Sequence, residues 1–121
     1  MIRDTIKKHS DFATTDENPS GRSAYFLIRA KPAKFPDDAR YGLVVTKKSF
    51  RLAVTRSRVK RMLRDWIAFN ESMMCDGWDY IFIARRAIVD ATRDDGRVAM
   101  RKALHYIRKT VRAEKSKSDA K

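Results

Sequence analysis

With 121 residues the chain is long enough for one domain with a modest core, and 43% hydrophobic residues argue for folding rather than disorder. Its 28 Lys and Arg against 15 Asp and Glu leave a net charge of +13, more than solubility needs, which points to a polyanionic partner: nucleic acid first, an anionic membrane surface second. A lone Cys75, the lack of any apolar run near the roughly 20 residues of a membrane span, and the acid-containing start MIRDTIKKHSDF exclude a disulfide framework, a transmembrane helix and a secretory signal, so the cytoplasm is the expected compartment.

In chain order, TIKKHSDFA (5–13) reads as a short helix anchored by Ile6 and Phe12, and Pro19, Ser20 and Gly21 as a loop. SAYFLIRAK (23–31) is apolar, aromatic and β-branched, hence a strand stopped by Pro32. RYGLVVTKK (40–48) is a second strand, and the short connection suggests that the two pair antiparallel. A long helical pattern follows SFRLAVT and reaches about Met74; WDYIFIAR (78–85) is a third strand. TRDDGRVAMRKALHYIRKTV closes the fold as a helix, with Met100, Ala103, Leu104, Ile107 and Val111 at helical spacing. Residues 1–111 are expected to form the domain and 112–121 a disordered basic tail. The pattern implies an α+β sandwich of three to four strands with helices packed on the sheet, in the order α-β-β-(β)-α-β-α. Strands apolar at nearly every position, such as YFLI and YIFI, imply either that both sheet faces are at least partly covered or that one carries an aromatic binding surface.

The stretch TRSRVKRMLRDW (55–66) carries the strongest signal. At about 100° per residue, Val59, Met62, Leu63, Trp66, Phe69 and Met73 share one arc, while Arg56, Lys60 and Arg64 run along its edge. Arg61 lies on the polar side, and Arg58 projects toward the helix start. A charged helix face is ordinarily just solvated, but solvated faces mix signs, and here the only early acid is Asp65. Positive charge at a helix N-terminus also opposes the helix dipole. An anionic ligand offsets that cost, and guanidinium forks suit phosphate oxygens.

RYGLVVTKKSFRLAVTRSRVKRMLRD resembles the signature of the protein subunit of bacterial ribonuclease P: Gly42, Leu43, Val45, Thr46, Lys47 and Lys48 at a strand end, then Arg56, Ser57, Arg58, Val59, Lys60, Arg61 and Arg64 on a helix. WDYIFIARRA and HSDF extend the likeness. Three differences stand out. Ser57 replaces the family's Asn, SFRLAVT with Phe50 and Arg51 is one residue longer than the family's turn, and Asp16 stands where a second aromatic is usual.

The resemblance implies a left-handed β-α-β crossover. It also implies a protein that does not cut RNA itself but binds a catalytic RNA whose Mg2+ ions hydrolyse precursor tRNA, releasing the 5′ leader. The implied RNA-binding set is Lys47, Lys48, Arg51, Arg56, Ser57, Arg58, Lys60, Arg61 and Arg64. The implied leader cleft is Phe12, Tyr25, Arg29 and Arg85, with cationic tracks and ring platforms suited to single-stranded RNA. Core packing is an equal alternative for each aromatic taken singly; Trp66 and Trp78 are assigned to the core. No catalytic residue, metal site or cofactor of the protein's own, no membrane and no obligate protein partner are expected.

A structured-RNA or DNA-binding module is the alternative, but a DNA-reading helix should carry base-reading Asn or Gln, and only Asn70 is present, far along it. A self-sufficient metal nuclease would need clustered ligands. Asp37-Asp38 and Asp94-Asp95 read as loop or cap pairs, and His9 and His105 lack ligand spacing.

Overall fold

The computed structural model describes residues 4–15, 17–35 and 39–119; Asp16 and the Asp37-Asp38 pair lie outside the described residues. Seven elements follow in order: β1 (Asp4–Thr5), β2 (Ser20–Arg22), β3 (Phe26–Pro32), β4 (Arg40–Val44), α1 (Ala53–Phe69), β5 (Trp78–Ala84) and α2 (Arg93–Asp119). Short 3-10 turns stand at His9–Phe12, Glu71–Met73 and Arg86–Asp90. The class is α+β, as the sequence pattern implies, with one sheet in the order β1-β4-β5-β3-β2.

Strand pairing departs from the expected hairpin. β3 and β4 are not paired; β5 lies between them, antiparallel to β3 (Phe26↔Ala84 to Pro32↔Trp78) and parallel to β4 (Tyr41↔Tyr80 to Val44↔Ile83). The long α1 connection makes this possible, because a parallel neighbour requires a crossover. The central strand has neighbours on both edges and is buried at most positions, with Trp78 and Ile83 half-buried, which accounts for the largely apolar WDYIFIA. The first element also differs: residues 4–5 form a strand edge and 9–12 a single 3-10 turn rather than a helix.

Strand alternation divides the sheet. Phe26, Ile28, Ala30, Tyr41, Tyr80, Phe82 and Ala84 point to the helical side and join Val59, Leu63, Trp66, Ile67, Met100, Leu104 and Ile107 in one core. Trp66 is at its centre, 1% exposed, with its ring centroid 6.2 Å from Phe26 and 6.3 Å from Tyr25. A Cβ on Gly96 would lie 2.0 Å from the Trp66 indole, so the first turns of α2 reach the ring only because residue 96 has no side chain. Asn70, 2% exposed, ends α1 by donating from Nδ2 to its own helix at the Trp66 carbonyl and across to the Arg97 carbonyl of α2. Trp78, assigned to the core, is half-buried against it.

One apolar-arc assignment needs correction. Phe69 is 58% exposed, its ring 4.3 Å from the Arg97 guanidinium carbon, because α2 supplies a cation there instead of more core. The helix stops at Phe69 rather than near Met74, and Met73, in the 3-10 turn that follows, still packs half-buried against the core. At the other end of the fold, the α2 backbone is helical from Arg93 to Asp119.

Candidate nucleic-acid interface

The helical phase of α1 sets its two sides. Val59, Leu63, Trp66 and Ile67 are buried, with Met62 half-buried beside them. Ser57, Arg58, Arg61 and Arg64 are exposed and Lys60 is half-buried at the edge. The helix begins at Leu52 without a side-chain cap and without an acid in its first turn. Its one acid, Asp65, is bound by Arg97 at 3.1 Å and approached by Arg93 at 4.0 Å, so it does not neutralise the guanidinium groups before it.

Arg56 has a different role from its neighbours. It is half-buried, and its Nη1 donates to the carbonyl oxygens of Phe50 and Arg51, each at 2.9 Å. Phe50 is 4% exposed and anchored in the core, and its N–H returns to the Thr46 carbonyl. The longer SFRLAVT approach is thus a braced loop, with Phe50 as the plug, Arg56 as the clamp and Arg51 left exposed. Lys47 and Lys48 are exposed on the turn just before it, and the Lys48 carbonyl accepts from Arg86 at 3.4 Å. An open groove of about 670 Å³ runs here, lined by Lys48, Phe50, Arg51, Leu52, Arg86 and Val89 among others.

The opposite sheet face carries the N-terminal segment. The Phe12 ring covers Gly42, where a Cβ would fall 2.4 Å from the ring, so glycine is what lets the aromatic lie on β4. Three cations hold the segment down. Arg29 Nη1 donates to the Thr15 carbonyl at 2.6 Å, and Lys31 Nζ donates to the carbonyls of Asp11 and Ala13. Arg40 bridges Asp11 and the 1% exposed Asp79, both at 3.2 Å. Beyond Phe12 the register aligns Arg22, Leu27, Ile83 and Val44 across four strands on this face. Leu27, Ile83 and Val44 are half-buried, Arg22 is exposed, and the exposed Arg85 continues β5 in the phase of Ile83.

Of the four expected cleft residues, Phe12 and Arg29 therefore meet on one face, with Arg85 at its end. Tyr25 does not join them. It precedes β3 and turns to the helical side against Trp66, so alternation counted from residue 25 misplaced it. The sequence reading also missed Arg40, Asp79 and Lys31. The available signal was Asp79 itself, since an acid inside an otherwise apolar strand must find a cationic partner.

Desolvation pushes the Asp11 carboxyl up, but the hydrogen bond from Arg40 and the charges of Lys34, Arg40 and Lys8 outweigh it and hold the pKa below its ordinary 3.8. A folded-state pKa below the unfolded one stabilises the fold above the unfolded value, and that stabilisation is lost as pH falls through the folded one. Asp11→Asn should therefore melt below the parent at pH 6, with the gap closing as pH drops below about 3.8. A gap independent of pH between 6 and 2 would contradict this ion pairing.

Among the described residues no three His, Cys, Asp or Glu side chains gather to hold a metal ion, and no helix is long and apolar enough to cross a membrane.

A family model described as Ribonuclease P matches residues 2–108. The ribonuclease P protein component of Chromobacterium violaceum is 37% identical over 96 residues, which are 78% of each chain. That of Ectopseudomonas mendocina is 36% identical over 81 residues, 65% of this chain, and the match spans only 59% of that relative's length. The structure of the Staphylococcus aureus RNase P protein superposes with a TM-score of 0.68 at 29% identity, covering 83% of this chain and 91% of that one.

Proposed function

The chain belongs to the ribonuclease P protein family, and on that premise we propose that it is the non-catalytic subunit of a ribonucleoprotein that removes the 5′ leader from precursor tRNA. The observation that carries this reading is the α1 face: Arg58, Arg61 and Arg64 project from a helix whose other side is locked into the core by Val59, Leu63 and Trp66. Cations fixed on a rigid element bind phosphate at a lower entropic cost than cations on a tail. In this reading Arg58, Lys60, Arg61 and Arg64, with Ser57, Lys47, Lys48 and Arg51, contact the phosphates of a ribonuclease P RNA. Arg56 acts one step removed, by shaping the loop that presents Arg51.

The leader lies on the opposite sheet face, along the Leu27-Ile83-Val44 strip between Arg22 and Arg85, with Phe12 as a wall. An apolar floor with cationic rims accepts any base sequence, as a leader of variable sequence requires. Arg29 orients the wall through the Thr15 carbonyl. The Mg2+ ions that assist phosphodiester hydrolysis are assigned to the RNA subunit, and the chain's own groups hold, orient and screen charge. Screening lets the RNA retain its metal ions at lower magnesium.

Reconstitution tests the proposal. The purified chain with magnesium alone should leave precursor tRNA intact. With a bacterial ribonuclease P RNA at low magnesium it should promote a single cut at the mature 5′ end, most strongly for precursors with a leader of several nucleotides. RNA-free cleavage that survives nuclease treatment of the preparation would overturn the assignment, and so would no stimulation at any magnesium concentration.

A further inference from the structure

The α2 helix has a second cationic face that the leader strip and α1 do not use. From Gly96 to Ala113 the chain has Arg97, Arg101, Lys102, Arg108, Lys109 and Arg112 and not one Asp or Glu. Arg97 is taken up by Asp65. The other five have no ion pair among the described residues, and all but the half-buried Arg108 are exposed. At about 100° per residue, these five and the exposed His105 fill an arc of roughly 120°, opposite Met100, Ala103, Leu104, Ile107 and Val111. Tyr106 borders the arc, 63% exposed, between Lys102 four residues before and Lys109 three residues after.

A face that served only solvation would mix signs and pair charges four residues apart. Here Arg97 and Arg101, and Arg108 and Arg112, are like-charged pairs at that spacing, which oppose the helix rather than support it. Favourable coupling to the helix dipole is confined to the last turn, and these residues precede Asp119 by seven or more positions. An exposed tyrosine beside unopposed cations is suited to stacking on a base while the neighbours take phosphates.

The two cationic faces are distinct. α1 and α2 meet where Trp66 abuts Gly96 and Asn70 reaches Arg97, and from there α2 runs over β2, with the Ala103 backbone on Gly21. The α1 cations lie on the N-terminal side of this junction in α1, and the α2 cations on its C-terminal side in α2. The paired Asp65 stands between them. The leader strip is on the other face of the sheet. A large RNA, unlike a short single strand, offers phosphates to both helices at once.

Resting on the function proposed above, we infer that Arg101, Lys102, Arg108, Lys109 and Arg112 form a second docking surface for the large RNA subunit, gripping the phosphates of a segment other than the one α1 holds. The test measures binding of the full chain to ribonuclease P RNA without precursor, over a salt series. The variants are Lys102→Gln/Lys109→Gln/Arg112→Gln and, separately, Arg58→Ala/Arg61→Ala, each with a melting control. The α2 variant should bind about tenfold or more weakly at low salt, with log K against log[salt] shallower by about 2 to 3, since each lost phosphate contact removes about 0.7 to 0.9. Nuclease footprints should show the two variants losing protection at different RNA segments.

Unchanged affinity and slope for the α2 variant, with loss for the α1 variant, would sink this inference alone. No loss for either would sink the function itself. A loss confined to precursor tRNA would turn the surface toward substrate, and retained RNA binding with lost capture of an acidic peptide would turn it toward a protein; either overturns the inference.

Discussion

Replacing Trp66 with alanine is expected to cost about 3 to 5 kcal/mol of folding stability, the largest loss from any single side chain in this core. The indole is 1% exposed and fills the space where β3, α1 and α2 converge, against Phe26, Tyr25 and the bare backbone of Gly96. Deleting it leaves a cavity that neighbours on three separate elements cannot close without moving both helices. A domain of this size has roughly 5 to 15 kcal/mol in hand, so about a fifth or more of the margin is lost. Urea denaturation should show the midpoint falling, and a loss below about 1 kcal/mol would mean that the junction is looser than the packing implies. RNA affinity of the fraction still folded should change little, because the indole is buried in the core and forms no part of the exposed α1 face.

Neutralising the exposed cations of α1 should do the reverse. Arg58→Ala/Arg61→Ala/Arg64→Ala is expected to lower affinity for ribonuclease P RNA about 100-fold or more at low salt. Charge-assisted hydrogen bonds contribute about 1.5 to 3 kcal/mol each, and three are removed. The salt slope should also become shallower by about 2 to 3. The melting temperature should stay level or rise slightly, since exposed substitutions shift stability within about 0.5 kcal/mol and Arg58 near the helix start opposes the dipole. Arg56→Ala separates the two roles of cations on this helix. Losing its bonds to the Phe50 and Arg51 carbonyls should lower stability as well as affinity. If the triple variant melted far below the parent, those arginines would be structural and the α1 face would not be a binding surface.

Some of this was written in local order along the chain. Helical phase alone separated Val59, Leu63 and Trp66 from Arg58, Arg61 and Arg64, because both sets lie on one element and a 3.6-residue period is a property of adjacent residues. The excess of positive charge by itself called for a polyanion, since composition is independent of the fold. The nearly apolar WDYIFIA marked a strand for the same local reason, but not which of its faces would be covered.

What tertiary structure decided was every relation between elements distant in the chain. β4 lies beside β5 and not β3, because the choice of strand neighbour depends on where α1 can pack, and no short window of sequence contains that information. The TIKKHSDFA segment gives up its helix because Lys31 and Arg40, on other strands, take its Asp11 and Ala13 carbonyls and its Asp11 carboxylate. Phe69 stays in solvent because α2 meets it with Arg97, and Tyr25 joins the helical core because the strand begins one residue after it. Arg56 sits among its neighbours' charges in sequence, but folding turns it inward, since only the closed Phe50 loop places two carbonyls within its reach. Periodicity assigns a residue to a face; which partner waits at that face is settled only when the elements pack.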